Sequence, residues 1–179
     1  MRNFTSVNDL KVLPPTGGED LGGAIDALVQ KALAYKANPF KDKTLAANKR
    51  IGCLFLNPSM RTRLSTQIAA QNLGAEAIVF NVGSEGWSLE FEEEAIMSGN
   101  TVEHVKDAAP VLGKYFDILA IRTFPSLKNR EDDYSELFIN QFIKYAGIPV
   151  RSLPEYCCFR RVMRNCIHSP PVPRAFAKR

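Results

Sequence analysis

One stretch of this chain carries side chains and backbone that could do chemistry together. It is Asn57-Pro58-Ser59-Met60-Arg61-Thr62-Arg63, set between a buried-strand pattern and a helical one. Backbone N–H groups at a helix N-terminus have no partner within the helix, and the helix dipole behind them favours negative charge, so the position suits an anion. Ser59 and Thr62 add hydroxyl donors, and Arg61 offers a planar fork matched to phosphate. On spacing alone the opposite reading carries equal weight, with Ser59 merely capping the helix and the arginines pointing into solvent. There is neither a Gly-rich loop nor a phosphate-loop lysine, which disfavours nucleotide binding. The second candidate is Arg122, which ends the apolar run Ile118-Leu119-Ala120-Ile121. A charge directly after an apolar strand lies at the edge where α/β ligands gather, although a surface ion pair is the commoner use of such an arginine. Two arginines converging from two strand ends would suit a small phosphorylated substrate.

The elements that must position these residues follow from the apolar pattern. After Pro14 to Gly18, a helix is expected over about Glu19–Lys36, with Leu21, Ile25, Leu28, Ala32 and Tyr35 on one face and Gly22 and Gly23 weakening its first turn. Ile51–Leu56 reads as a buried strand. The helix after it carries Leu64, Ile68 and Leu73 on one side, with Gly74 where a C-terminal glycine belongs. Ala77–Phe80 is a second strand, Asp117–Arg122 a third, and Ile148–Val150 begins a fourth. Thr101 is expected to cap a helix running to about Leu112, and Tyr134–Ala146 forms another with Leu137, Phe138 and Phe142. This alternation predicts an α/β fold, a parallel sheet of about four strands with flanking helices, followed by an irregular tail. Asn81 to Asn100 lacks periodicity and reads as a functional or interface loop.

Composition excludes some classes. At 179 residues, 45% of them apolar and 23% charged, the chain can bury a core and lies outside the disordered range. No apolar run is long enough to span a membrane, and the N-terminus reads as no secretion signal, so a soluble cytoplasmic protein is expected. The net charge of +4 misleads, because residues 151–179 hold seven Lys or Arg against Glu155, leaving residues 1–150 at −2. The same tail holds Cys157, Cys158 and Cys166, without metal-ligand spacing, and the Pro-rich Ser169–Pro173. In the body Cys53 and His104 are too few for a zinc site, and Cys53 reads as core.

The string Phe55-Leu56-Asn57-Pro58-Ser59-Met60-Arg61-Thr62-Arg63 resembles the carbamoyl-phosphate motif of the aspartate/ornithine carbamoyltransferases. It is most similar to the branch acting on N-acetylornithine or N-succinylornithine. Gly86-Trp87-Ser88-Leu89-Glu90, Ile121-Arg122-Thr123-Phe124 and Asn129-Arg130-Glu131-Asp132-Asp133-Tyr134 support the same branch, and the likeness covers residues 1 to about 150.

The resemblance implies roles. Ser59, Met60 through its backbone, Arg61 and Thr62 would bind the phosphate of carbamoyl phosphate, and Arg122 would hold the phosphate and polarise the carbonyl. Arg61 and Arg122 are thus the expected catalytic residues, with no metal or cofactor required. Trp87 would reach into a neighbouring subunit of a homotrimer, although by itself it reads as an interface or core residue. Val102 aligns where the acetyl enzymes carry Glu and the succinyl enzymes Pro, and its apolar side chain leans toward succinylornithine; Glu90, close by, is the second residue expected to bear on acyl-ornithine specificity.

After Val150 the likeness stops. The family continues into His-Pro-x-x-Gln and a second, amino-acid-binding domain; His168-Ser169-Pro170-Pro171 does not match that motif. The division is therefore a carbamoyl-phosphate-binding domain over residues 1–150 and an aberrant basic tail over 151–179. The tail reads as an out-of-frame translation, with a natural divergent tail as the rival. Three functions remain open. One is the carbamoyl-phosphate-binding half of an acylornithine carbamoyltransferase of arginine biosynthesis, inactive alone. Another is a non-catalytic phosphate-binding or subunit-interaction module. The third, nucleic-acid binding through the tail, is disfavoured because only Tyr156, Phe159 and Phe176 could stack on bases.

Overall fold

A computed structural model describes residues 3–5, 9, 21–85, 88–92, 101–124 and 135–153, with backbone only at 21 and 22. Four strands form one parallel sheet: β1 (Arg50–Phe55), β2 (Glu76–Asn81), β5 (Ile118–Arg122) and β6 (Val150–Ser152), in the order β2-β1-β5-β6. A separate pair, β3 (Leu89–Glu90) and β4 (Glu103–His104), is also parallel. The helices are α1 (Leu21–Ala37), α2 (Met60–Asn72), α3 (Val105–Tyr115) and α4 (Leu137–Tyr145).

The strand order fixes the layers. From β1 the chain steps to β2 on one side, then crosses β1 to reach β5 and continues outward to β6. Right-handed crossovers in opposite directions put α2 on one face of the sheet and α3 and α4 on the other. The packing agrees. Val105, Ala108, Ala109 and Leu112 of α3 and Ile139 and Phe142 of α4 are buried with Leu54, Leu119, Ile121 and Val150 in the main core. Cys53, Phe55 and Ala120 make a smaller cluster with Ile51, Ala77, Val79 and Leu153. The alternation of strand side chains explains the split, because Leu54 and Cys53 must point to opposite faces.

Two glycines are required by this packing. Gly52 lies under the Phe116 ring, where a Cβ would stand 2.5 Å from a ring carbon. Gly74 takes φ +82° after the α2 C-cap, with Gly74 N–H bonded to Gln71 O at 3.0 Å and Ala75 N–H to Ala70 O at 2.9 Å. These are the two hydrogen bonds of a Schellman ending.

Several expectations shift. The α1 face of Ile25, Leu28 and Ala32 is exposed, and Ala24 is the buried residue of that helix. Leu64 and Ile68 of α2 are each more than half exposed, so their shared spacing does not place them in this core. Thr101 does not cap α3; His104 does, because the helix begins only at Val105. The fourth strand runs past Val150 to Ser152, and Leu153 N–H still donates to Ile121 O at 2.8 Å. The N-terminal segment lines its edge, with Ser152 N–H bonded to Phe4 O at 3.0 Å. Trp87, Asn129–Tyr134 and the tail from Pro154 onward lie outside the described residues.

Candidate functional site

Adjacent strands β1 and β5 send their following connections in opposite directions, toward β2 and β6. The crevice beyond their carboxyl ends is therefore the topological switch point of the sheet, where ligands of open α/β folds bind. Both candidate arginines belong to it. Phe55 and Arg122 are directly paired in the β1–β5 register, and the motif begins two residues after Phe55.

Ser59 is the N-cap of α2, with extended backbone at φ −155° and ψ 114°. Its Oγ accepts from Thr62 N–H at 3.3 Å, and the two hydroxyls lie 3.1 Å apart. Of the opposed readings of Ser59 the structure shows capping, and the capped helix end follows β1 at the switch point. Met60 and Arg61, in the first turn, are exposed, whereas Thr62 and Arg63 are half-buried. Met60 N–H and Arg61 N–H fall among the N-terminal amides that a helix leaves unpaired internally.

Arg122 is 5% exposed, so it is a buried residue and not a surface one. Its Nη1 donates to the carbonyls of Asn57 and, at 3.1 Å, Pro58. Its guanidinium lies 4.5 Å from the Phe124 ring centroid and 5.8 Å from that of Phe55, both within cation–π range. Asn57 completes the tie by accepting from Phe124 N–H through Oδ1 at 2.8 Å. The buried cation therefore lies against the loop that leads into the α2 N-terminus. In a low-dielectric setting its field adds to that of the helix end, and both favour an anion.

Asn57 opens the stretch singled out from the sequence, but its role as a two-sided clamp needs the β5 partner. Glu85 was missed. Its carboxylate accepts from Asn81 N–H at 3.0 Å and from the Asn81 amide at 2.9 Å, with Arg63 Nη1 at 3.9 Å. The Asn81 backbone N–H, followed by the Asn81 side chain, holds this carboxyl below its usual range.

Glu90 and Val102 lie elsewhere, Glu90 ending β3 and Val102 immediately preceding β4. Val102 is two-thirds exposed, and Glu90 turns its carboxylate onto its own segment. Among the described residues no three His, Cys, Asp or Glu side chains are grouped to hold a metal ion. No helix among them is long and apolar enough to cross a membrane.

Comparison with known proteins gives a consistent answer. Residues 19–153 match the aspartate/ornithine carbamoyltransferase, carbamoyl-P binding domain. The chain is 40% identical over 153 residues to an N-succinylornithine carbamoyltransferase of Bacteroides fragilis, covering 86% of this chain and 44% of that protein. It is 36% identical over 126 residues to an N-acetylornithine carbamoyltransferase of Xanthomonas campestris pv. campestris, covering 70% and 37%. Among solved structures, a variant N-acetyl-L-ornithine transcarbamylase complexed with carbamyl phosphate and N-succinyl-L-norvaline superposes with a TM-score of 0.73 at 32% identity. That match covers 86% of this chain and 43% of the other. The chain thus spans less than half the length of these relatives.

Proposed function

This chain belongs to the aspartate/ornithine carbamoyltransferase family, and from that membership we propose that it binds carbamoyl phosphate at the β1/β5 switch point. It would do so as the carbamoyl-phosphate half of an acylornithine carbamoyltransferase. The observation that carries this reading is the placement of the Ser59-capped α2 N-terminus beside the end of β5, with the buried Arg122 cation against the loop.

In this reading the phosphate sits on the amides of Met60 and Arg61 and the hydroxyls of Ser59 and Thr62. Arg61, exposed at the helix start, closes over it from solvent. In carbamoyl transfer an amine attacks the carbamoyl carbon, and the bond from that carbon to the phosphate oxygen breaks. Negative charge grows on the carbonyl oxygen and the leaving phosphate, while the attacking nitrogen loses a proton. Donors already aimed at those oxygens lower the barrier without reorganising, and this is commonly a large catalytic term. Arg122 is held in place by its two carbonyl partners, and in this reading its positive charge favours the growing negative charge from there.

The amine substrate we assign is N-succinylornithine, with N-acetylornithine as the alternative. Support comes from apolar, exposed Val102 and from the higher identity to succinylornithine carbamoyltransferases. A cytoplasmic location, a part in arginine biosynthesis and a homotrimer using Trp87 belong to the same proposal. The exposed apolar faces of α1 and α2 favour the companion reading of a subunit-interaction module.

The test is a phosphorus NMR titration of the 179-residue chain with carbamoyl phosphate and, separately, inorganic phosphate. Saturable binding of carbamoyl phosphate that weakens with salt and is lost in Arg61→Ala is expected. Binding that survives Arg61→Ala, or no binding by the unaltered chain, would overturn the reading.

A further inference from the structure

Val102, the residue we read as facing the acyl group, sits on a short structure with little backbone pairing. Strands β3 and β4 have two residues each, far below the length at which a strand pair holds itself. Among the described residues, backbone bonds outside the two strands add Val102 N–H and Glu103 N–H to one acceptor, Ser88 O, at 2.9 and 3.5 Å.

Side chains hold the rest. Glu90 Oε1 accepts from Phe91 N–H at 2.8 Å and Glu92 N–H at 3.1 Å, while its Oε2 accepts from Thr101 Oγ1 at 3.3 Å. One carboxylate thus ties the segment carrying β3 to the residue before Val102. His104 binds on both ring nitrogens. Its Nδ1 accepts from Lys106 N–H at 3.0 Å, capping α3. A backbone N–H can only donate, so Nδ1 carries no proton and Nε2 carries it. Nε2 then donates to Glu92 O, 2.9 Å away. From α4, buried Gln141 donates Nε2–H to Phe91 O at 2.7 Å. Val102 therefore stands between two residues, Thr101 and His104, that are bonded to the opposite strand segment.

We propose that Glu90 and His104 are positioning residues that fix the place of Val102, and that neither contacts the substrate. This rests on Val102 being the acyl-facing residue, but the placement itself is open to test without any substrate. A side chain whose acceptors are committed to Phe91, Glu92 and Thr101 has little left to offer a ligand. The bonds of His104 likewise demand one tautomer of the neutral ring.

Nitrogen-15 NMR of the full chain at neutral pH checks both points. The His104 ring should show an unprotonated Nδ1 and a protonated Nε2. Glu90→Ala should speed amide exchange at Phe91, Glu92 and Val102 about tenfold, the scale of one lost hydrogen bond, and shift the Val102 methyl signals. Glu90→Gln, which keeps the acceptor oxygen, should restore protection. His104→Asn keeps an acceptor for Lys106 N–H but cannot reach Glu92, so Lys106 should stay protected while Val102 loses protection. An Nδ1-protonated ring, or unchanged exchange at Val102 in both Glu90→Ala and His104→Asn, would overturn the proposal. Carbamoyl-phosphate binding measured on the same samples reports separately on the functional reading and should be unchanged in these variants.

Discussion

Arg122 and Asn57 hold each other's segments across the switch point of the sheet. The guanidinium of Arg122 donates to Asn57 O, and the amide oxygen of Asn57 accepts from Phe124 N–H two residues beyond Arg122. One strand end and the start of the loop leading into α2 are thereby fastened in both directions, which pre-sets the loop.

Removing the Asn57 side chain should therefore weaken fold and site together. Asn57→Ala leaves Phe124 N–H without its acceptor and is expected to cost about 2 kcal/mol. The loss is read from the urea unfolding midpoint, with weaker carbamoyl-phosphate binding in parallel. A variant of full stability and full affinity would refute the clamp.

Ser59 and Arg61 should separate stability from binding. Ser59→Ala removes the acceptor of Thr62 N–H, and loss of a serine N-cap costs about 1 kcal/mol. Arg61 is exposed, so Arg61→Ala should change stability by no more than about 0.5 kcal/mol. Thermal unfolding measures both, and a strongly destabilised Arg61→Ala would mean that its side chain is structural.

Acid should weaken the fold through three carboxylates. Asp117 is held below its usual range first by Arg50 N–H and then by the Lys49 ammonium at 2.8 Å. Glu85 is lowered by Asn81, and Glu90 by the N–H groups of Glu92 and Phe91. Each folded pKa lies below the unfolded one, so the contribution is present above ordinary carboxylate values, roughly 4, and is lost as pH falls through the folded values. Urea midpoints taken from pH 7 to pH 3 should fall, and Asp117→Asn should fall less steeply. Parallel slopes would remove Asp117 from the account.

Cys53 should be chemically silent in the folded chain. Burial in β1 pushes its thiol up to about 11, which leaves almost no thiolate at neutral pH. Peptide mapping after iodoacetamide at pH 8 should find Cys53 unmodified in buffer and modified in urea. Rapid modification in buffer would show that β1 opens.

Much of this was legible along the chain. Continuous apolar runs marked β1 and β5 because strands covered on both faces have no polar side to alternate with. Gly74 marked the end of α2 because a left-handed residue there strains any side chain. Ser59 to Thr62 offered anion chemistry by residue type, at even weight with plain helix capping, and local spacing was enough to place them on a helix start. What lay beyond local spacing was decided by packing. The spacing read in α1 and α2 did form helices, yet Ile25, Leu28, Leu64 and Ile68 stay exposed, because apolar spacing along a helix does not say what covers it. Thr101 looked like the cap of α3, but its hydroxyl went to Glu90 and left the cap to His104, a choice settled by the pairing of β3 with β4. Arg122 and Asn57 lie 65 positions apart, and nothing local to either could announce the other. The residue types set the chemistry of the site; the crossing of the chain from β2 over β1 to β5 decided that those residues meet, since only a sheet that reverses its winding there opens a crevice between them.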